Sequence, residues 1–231
     1  MAEVRRAVED GSLPAERVED AVLRVLALKA SLGLHDSTRP RSAGAMAGVS
    51  DKAVADAALR RAPTLVKDTI GLLPINPQSH RRVLVISGGI VSPLHGAPEE
   101  FKLTKMLTAE GFEVTVHKHQ PAVDPSDFDL VLYLLGEETL LTRGHIFLDW
   151  AELGGDFVGA MRRYWHDIPT AIISFGYPYY LYDAPRVPVY INAYCTLDEM
   201  QAAVVDLLRG RSPWNRSSPV DPYCGLEDAR Y

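Results

Sequence analysis

An α/β fold is what this sequence predicts: a three-layer sandwich of a mostly parallel sheet with helices on both faces, preceded by an N-terminal helix. Two observations predict it. Short, continuously apolar runs recur from residue 83 onward, VLVIS (83–87), LVLYLL (130–135), AIISF (171–175) and VYINAY (189–194). Segments of helical period lie between them. Runs apolar on both faces belong to strands covered on both sides, as crossover helices cover a parallel sheet.

The elements follow in order. Ser12 and Pro14 mark a helix start, and Val18, Val22, Val25, Leu26, Lys29 and Leu32 continue it with a mostly apolar 3.6-residue period. Gly33 supplies a left-handed cap. HDSTRPRSAGAMAG (35–48) reads as a linker. A second helix opens at Ser50 and Asp51, runs through Val54, Ala57, Ala58 and Leu65, and ends near Lys67 and Asp68. After VLVIS and the loop GGIVSPLHG (88–96), a helix opens at Pro98 and carries Leu103, Met106 and Leu107, with Gly111 closing it. EVTVH (113–117) and LVLYLL are the next strands. DFVGAMRRYW places Phe157, Met161, Tyr164 and Trp165 on one helical face. AIISF and VYINAY complete the sheet. The last helix has Thr196 as N-cap with Glu199 three residues on, an apolar face of Met200, Ala203, Val204, Leu207 and Leu208, and Gly210 as its cap. The segments are therefore 1–35, 36–49, 50–210 and 211–231.

Composition narrows function. The 231 residues are 47% apolar and 23% charged, as in ordinary globular chains, with a net charge of −6. Nucleic-acid binding is not expected, since phosphate contacts need a basic surface and only the pairs Arg60–Arg61, Arg81–Arg82 and Arg162–Arg163 stand out. No apolar run reaches bilayer-spanning length and MAEVRRAVEDGSLP carries no signal-peptide core, so no membrane partner is expected and the compartment defaults to cytoplasmic. Cys195 and Cys224 form neither a disulfide framework nor a metal spacing, and two unbridged thiols are preferred over one bridge.

In such a sheet ligands gather beyond the carboxyl ends of the strands. Three loops qualify. GGIVSPLHG could bring backbone amides to an anion, but a tight strand exit is the preferred reading. GEETLLTRGH (136–145) holds Glu137 and Glu138, then Arg143 and His145. A carboxyl there could act as acid or base if burial raises its pKa, or pair with Arg143, or cap the next turn. SFGYPYYLYDAPRVPVYINAY (174–194) reads mostly as a crossover, with Tyr190 and Tyr194 packing against helices and Tyr177, Tyr179, Tyr180 and Asp183 exposed. His117 and His119 share a strand face, but no third metal ligand follows, so edge-strand polarity explains them and no metal site is expected. No Ser-His-Asp order, nucleophile elbow, reactive-thiol context or cofactor motif appears, and no cofactor is expected.

Two ends of the chain carry a resemblance. AVEDGSLPAERVEDAVLRVLALKASLGL (7–34) resembles the last barrel helix of glycoside hydrolase family 3 enzymes. AVADAALRRAPTLVKDTIGLLPINP (53–77) and VLVIS resemble the start of that family's second, C-terminal domain. The tyrosine-rich stretch, the last helix and LLRGRSPWNRSSPVDPYCGLEDARY (207–231) are similar to bacterial β-N-acetylhexosaminidase-like members, although WNRSSPV replaces their glycine-containing turn. The middle, 98–155, matches in pattern alone.

The resemblance implies a retaining glycosidase whose aspartate nucleophile and histidine acid/base sit on a TIM-type barrel near a K-H-F-P-G-like motif. This chain contains no such motif, so no catalytic residue is carried over and the isolated chain is expected to be inactive. Plant-type glucan hydrolases of the family supply a glutamate acid/base from a loop comparable to that of Glu137 and Glu138. The implied role is a C-terminal domain that stabilises the barrel and walls a carbohydrate site through Tyr177, Tyr179, Tyr180, Asp183 and His145. Its partners would be the carbohydrate and a barrel in cis or trans, with self-association through the N-terminal helix as a further expectation. The alternative is a stand-alone carbohydrate-binding or scaffold module acting in trans.

Overall fold

The computed structural model describes residues 2–36, 49–92, 97–117, 123–137 and 147–231. It divides into two units, Met1–Val49 and Ser50–Tyr231.

The first unit is helical. α1 (Ala2–Glu9) precedes the helix read from the sequence; its few apolar residues give too short a stripe to betray it. α2 (Ala15–Ser31) follows a turn in which Gly11 has a φ of 77° and Asp10 Oδ1 accepts from Ser12 N at 2.9 Å. Gly33 sits beyond α2 with a φ of 66°. No residue of α2 is buried, and Leu23 and Leu28 are 66% and 61% exposed.

The second unit runs α3 (Val49–Arg61), β1 (Thr64–Asp68), β2 (Arg82–Ile86), β3 (Ile90–Val91), α4 (Leu103–Ala109), β4 (Glu113–His117), β5 (Leu130–Glu137), α5 (Trp150–Gly154), α6 (Phe157–Met161), β6 (Thr170–Ser174), β7 (Val189–Asn192) and α7 (Asp198–Leu208). The strand order is β1-β7-β6-β5-β2-β4, and β3 adds to the carboxyl end of β5. All neighbours are parallel except β1 and β7. The order reverses between β2 and β5, which opens a crevice at their carboxyl ends.

Strand residues alternate between two cores. Val83, Val85, Leu130, Leu132, Ile173 and Ile191 face α4 and α7, which contribute Leu103, Leu107, Met200, Val204 and Leu208. Leu84, Ile86, Val131, Tyr133, Ile172 and Tyr190 face the other way, onto Leu148, Tyr164, Ile168 and Leu181. Burying each Leu or Ile contributes about 1.5–3 kcal/mol, so both layers stabilise the sheet.

Several sequence expectations are corrected. Residues 64–68 are a strand rather than the end of a helix. Pro63 disfavours helical backbone at Ala62, and β-branched Thr64 and Val66 suit an extended chain. α4 opens at Leu103 instead of Pro98, because Ile90 and Glu99 exchange backbone hydrogen bonds at 2.7 and 3.0 Å and keep that stretch extended. DFVGAMRRYW is no continuous helix: α6 has five residues, Phe157 and Met161 are 80% and 69% exposed, and Tyr164 is buried from a separate 3-10 turn. α7 has Leu197 as N-cap with no side-chain bond. Thr196 O instead accepts from Gln201 Nε2 at 2.8 Å, and Gln201 Oε1 accepts from Leu103 N at 2.9 Å, tying α7 to α4. β4 is an edge strand, yet His117 at its end is buried, with its ring 3.4 Å from Gly154 O.

Candidate functional site

The carboxyl ends of β2, β5 and β6 are built by different devices. After β2, Gly89 takes a φ of 87°, and a Cβ there would lie 2.9 Å from Glu99 O. A Cβ on Gly136, at the end of β5, would lie 2.4 Å from Gly89 O and 2.8 Å from Phe101 Cζ. These glycines let backbone pack on backbone. The Gly88–Gly89 turn is thus a tight strand exit. Beside it, between the ends of β2 and β4, lies a cavity of about 230 Å³ lined by Ser87, Phe101, Thr104, His117 and Leu134 among others. Its hydroxyls are engaged internally: Ser87 Oγ donates to Leu134 O at 2.7 Å and Thr104 Oγ1 to Phe101 O at 2.8 Å.

The ends of β5 and β6 bring together residues that the sequence separates by forty positions. Tyr177 N donates to Glu137 O at 3.2 Å, which places the tyrosine loop against the end of β5. Ser174 Oγ donates to Tyr177 O, and Asn192 Nδ2 to Pro178 O at 3.2 Å. Asp183 Oδ2 accepts from Leu148 N at 2.8 Å and anchors the far side of the loop. The Tyr177 ring packs edge-on against Tyr179 at 5.0 Å and Tyr180 at 5.5 Å. Such tilted contacts suit the ring quadrupoles.

Of the residues singled out in the sequence, Glu137, Tyr177, Tyr179 and Asp183 are half-buried here. Tyr180 is not an exposed loop residue: it is 4% exposed, and Tyr190 Oη accepts from its backbone N at 3.2 Å. The 3-10 turn Tyr180–Tyr182 points Tyr180 into the core and leaves Tyr182 52% exposed, so Tyr182 takes the outward place expected of Tyr180. Glu138, Arg143, His145 and His119 lie outside the described residues. Tyr190 is fully buried, and Tyr194 Oη donates to Thr64 Oγ1 at 3.0 Å. Ser174, Asn192 and Tyr182 are the contributors the sequence reading missed. The first two are polar residues ending apolar strands, a pattern that could have flagged them.

Burial pushes the Tyr177 hydroxyl up, and Tyr179, Cys224 and Asp183 add to the shift. Burial also raises the Cys224 thiol, helped by Asp221 and Asp183. Cys195 and Cys224 are both free thiols. No group of three metal-ligating side chains forms among the described residues. The arrangement offers aromatic edges and faces with the Asp183 carboxylate nearby.

No family model matches the chain. The chain is 37% identical to a β-N-acetylglucosaminidase/β-glucosidase of Cellulomonas fimi, over 97% of its own length and 42% of the relative's. Among solved structures it is similar to the β-glucoside phosphorylase BglX bound to 2FGlc, with 30% identity and a TM-score of 0.72, covering 96% of this chain and 41% of that one. A glycoside hydrolase family 3 β-N-acetylglucosaminidase from Paenibacillus sp. str. FPU-7 shares the fold at 16% identity, with a TM-score of 0.51 over 89% of this chain and 39% of that one. The chain thus spans about two fifths of the length of these proteins.

Proposed function

From its place as a glycoside hydrolase family 3 domain of the C-terminal type, we propose that this chain walls a carbohydrate site and stabilises a catalytic barrel without supplying the catalytic pair. The observation that carries the reading is the loop after β6, where Tyr177 and Tyr179 stack edge-on beside Glu137 at the sheet's carboxyl edge. Aromatic rings there can contact the apolar face of a pyranose, and a carboxylate such as that of Glu137 can meet its hydroxyls.

Retaining hydrolysis needs a nucleophile and an acid/base on opposite sides of the anomeric carbon, in the usual case about 5–5.5 Å apart. In this reading both come from a barrel, in the same polypeptide or another. Asp183 is unsuited to be the nucleophile, since its carboxylate holds the Leu148 amide. Glu137 ends β5 against the tyrosine loop, and we assign it to substrate contact rather than proton transfer. The substrate class is a β-N-acetylhexosaminide or β-glucoside. The relatives' names differ in the acceptor implied, water or phosphate, but share the β-glycosidic bond.

The test is turnover of aryl β-N-acetylglucosaminide and aryl β-glucoside by the chain alone, with and without phosphate. No turnover is expected in any of these assays. Robust turnover abolished by Glu137→Gln would replace the wall by a catalytic role.

A further inference from the structure

β1 contains a device that neither the sheet nor the sugar-facing loop explains by itself. Its pairing with β7 slips between Leu65 and Lys67: Leu65 opposes Ile191 and Lys67 opposes Tyr190, leaving Val66 as the extra residue. A bulge of this kind redirects the side chain that follows it. Ile191 belongs to the core under α4 and α7, whereas Tyr190 belongs to the core under the tyrosine loop. Without the bulge, strict alternation would put Lys67 on the same face as Leu65. With it, a lysine enters the layer beneath Tyr177–Asp183.

There Lys67 is 5% exposed, and its Nζ donates to Pro185 O at 3.0 Å, Ala229 O at 2.8 Å and Tyr231 O at 2.7 Å. An ammonium has three donors, and three main-chain oxygens take them all. Pro185 closes the tyrosine loop, and Ala229 and Tyr231 belong to the C-terminal tail. The tail makes two further contacts with the same region. Tyr223 Oη donates to Val66 O at 2.8 Å, the carbonyl of the bulged residue, and Cys224 Sγ lies 4.0 Å from Tyr179 O. Asp221 folds this part of the tail by accepting from Tyr223 N at 3.1 Å and Gly225 N at 2.8 Å, and the Arg230 guanidinium covers the Tyr223 ring at 4.4 Å. Burial, with Arg186 nearby, pulls the Lys67 pKa down. Burying an ammonium is costly, and its hydrogen bonds to these main-chain oxygens are strong because they are charge-assisted.

We propose that Lys67 and the tail 221–231 form a clamp that sets the position of the Tyr177–Pro185 loop, making Lys67 a positioning residue for whatever that loop binds. In the carbohydrate reading, on which this last step rests, the clamp fixes the tilt of the Tyr177 and Tyr179 rings and so the shape of the sugar it accepts.

Amide hydrogen exchange on the full chain tests the clamp without any sugar. Lys67→Met removes the ammonium at similar volume, and Tyr223→Phe, a milder change, removes only the hydroxyl that grips β1. Both should speed exchange at Tyr177, Asp183 and Ala184 by about tenfold or more while leaving Ile172 and Ile173 in β6 unchanged. Acceleration spread evenly over loop and β6, or none at the loop in Tyr223→Phe, would overturn the clamp. Saturation-transfer contact of methyl β-N-acetylglucosaminide with the Tyr177 and Tyr179 rings reads the other half. Contact in the wild type that weakens in Tyr223→Phe supports positioning for a sugar. Selective loop exchange with no sugar contact in any variant keeps the clamp and removes the wall.

Discussion

The exits of β2 and β6 sit at the same edge of one sheet and end in opposite ways. At β2 the chain turns by removing side chains, and Gly89 and Gly136 bring carbonyl and Cα atoms so close that a methyl group has no room. At β6 it turns by adding them, with a run of tyrosines held by Ser174, Asn192 and Asp183. The first exit commits its geometry to packing and presents little chemistry. The second buries Tyr180 and Tyr190 as a footing and holds Tyr177, Tyr179 and Tyr182 at or near the surface. A ligand-facing wall needs rings on a fixed base, and only the second exit supplies both.

The contrast can be broken most forcefully at Gly136. Gly136→Ala sets a methyl 2.4 Å from Gly89 O, and unfolding should show a loss of about 3 kcal/mol or more, or no folded protein. A near-neutral result would mean the β2 exit is looser than described. Gly89→Ala combines a φ of 87° with contacts of 2.9 Å to Glu99 O and Pro98 Cβ; a loss of about 1–3 kcal/mol is expected in denaturant titration. Asp183→Ala strands the Leu148 amide and should lower stability by about 1–2 kcal/mol. Tyr182→Ala, at an exposed ring, should change stability by less than about 0.5 kcal/mol. If it instead cost as much as Asp183→Ala, the surface role of this loop would be in doubt.

The tyrosine loop and the strand beneath it are also expected to respond to pH. Burial raises the Tyr190 and Tyr177 hydroxyls above the ordinary 10.0. For an acid whose folded pKa is raised, the stabilisation is complete below the unfolded value and is lost as pH climbs beyond it. Thermal stability should therefore fall above pH 10, and Tyr190→Phe should flatten that fall while Gly89→Ala leaves its slope unchanged. An unchanged slope in Tyr190→Phe would place the alkaline sensitivity elsewhere.

What could be read from the sequence follows from how burial acts on it. β2, β5, β6 and β7 are legible because both their faces are covered, so their central positions are apolar. The inner face of α7 is legible because five residues keep one period. β1 is not, since the bulge at Val66 breaks its alternation and a buried lysine imitates a surface one. α5 and α6 are too short to show a period; Trp150 of α5 and Trp165 of the 3-10 turn after α6 pack around Tyr133. The positions of Glu137 and Tyr177 at the carboxyl ends of β5 and β6 follow from the apolar runs before them. The burial of Tyr180 does not, because consecutive tyrosines carry the same polarity and only the backbone turn decides which one enters the core. Lys67 and the tail join the loop through contacts more than a hundred residues apart, beyond any local pattern.

The exposed apolar residues of α2 contrast with α7 in the same sense, one amphipathic helix covered within its unit and the other not. Leu208→Ala should cost about 2–5 kcal/mol and Leu28→Ala less than about 0.5 kcal/mol in the chain by itself.

The most direct measurement is made on a hybrid in which this chain replaces the matching two fifths of the Cellulomonas fimi relative. Steady-state hydrolysis of an aryl β-N-acetylglucosaminide is compared for the hybrid, its Tyr177→Ala/Tyr179→Ala variant and its Glu137→Gln variant. For a non-catalytic wall, the tyrosine variant raises KM with kcat nearly kept, and Glu137→Gln keeps kcat within about tenfold. A fall in kcat of about a hundredfold or more in Glu137→Gln, the size expected for a lost general acid, would contradict it.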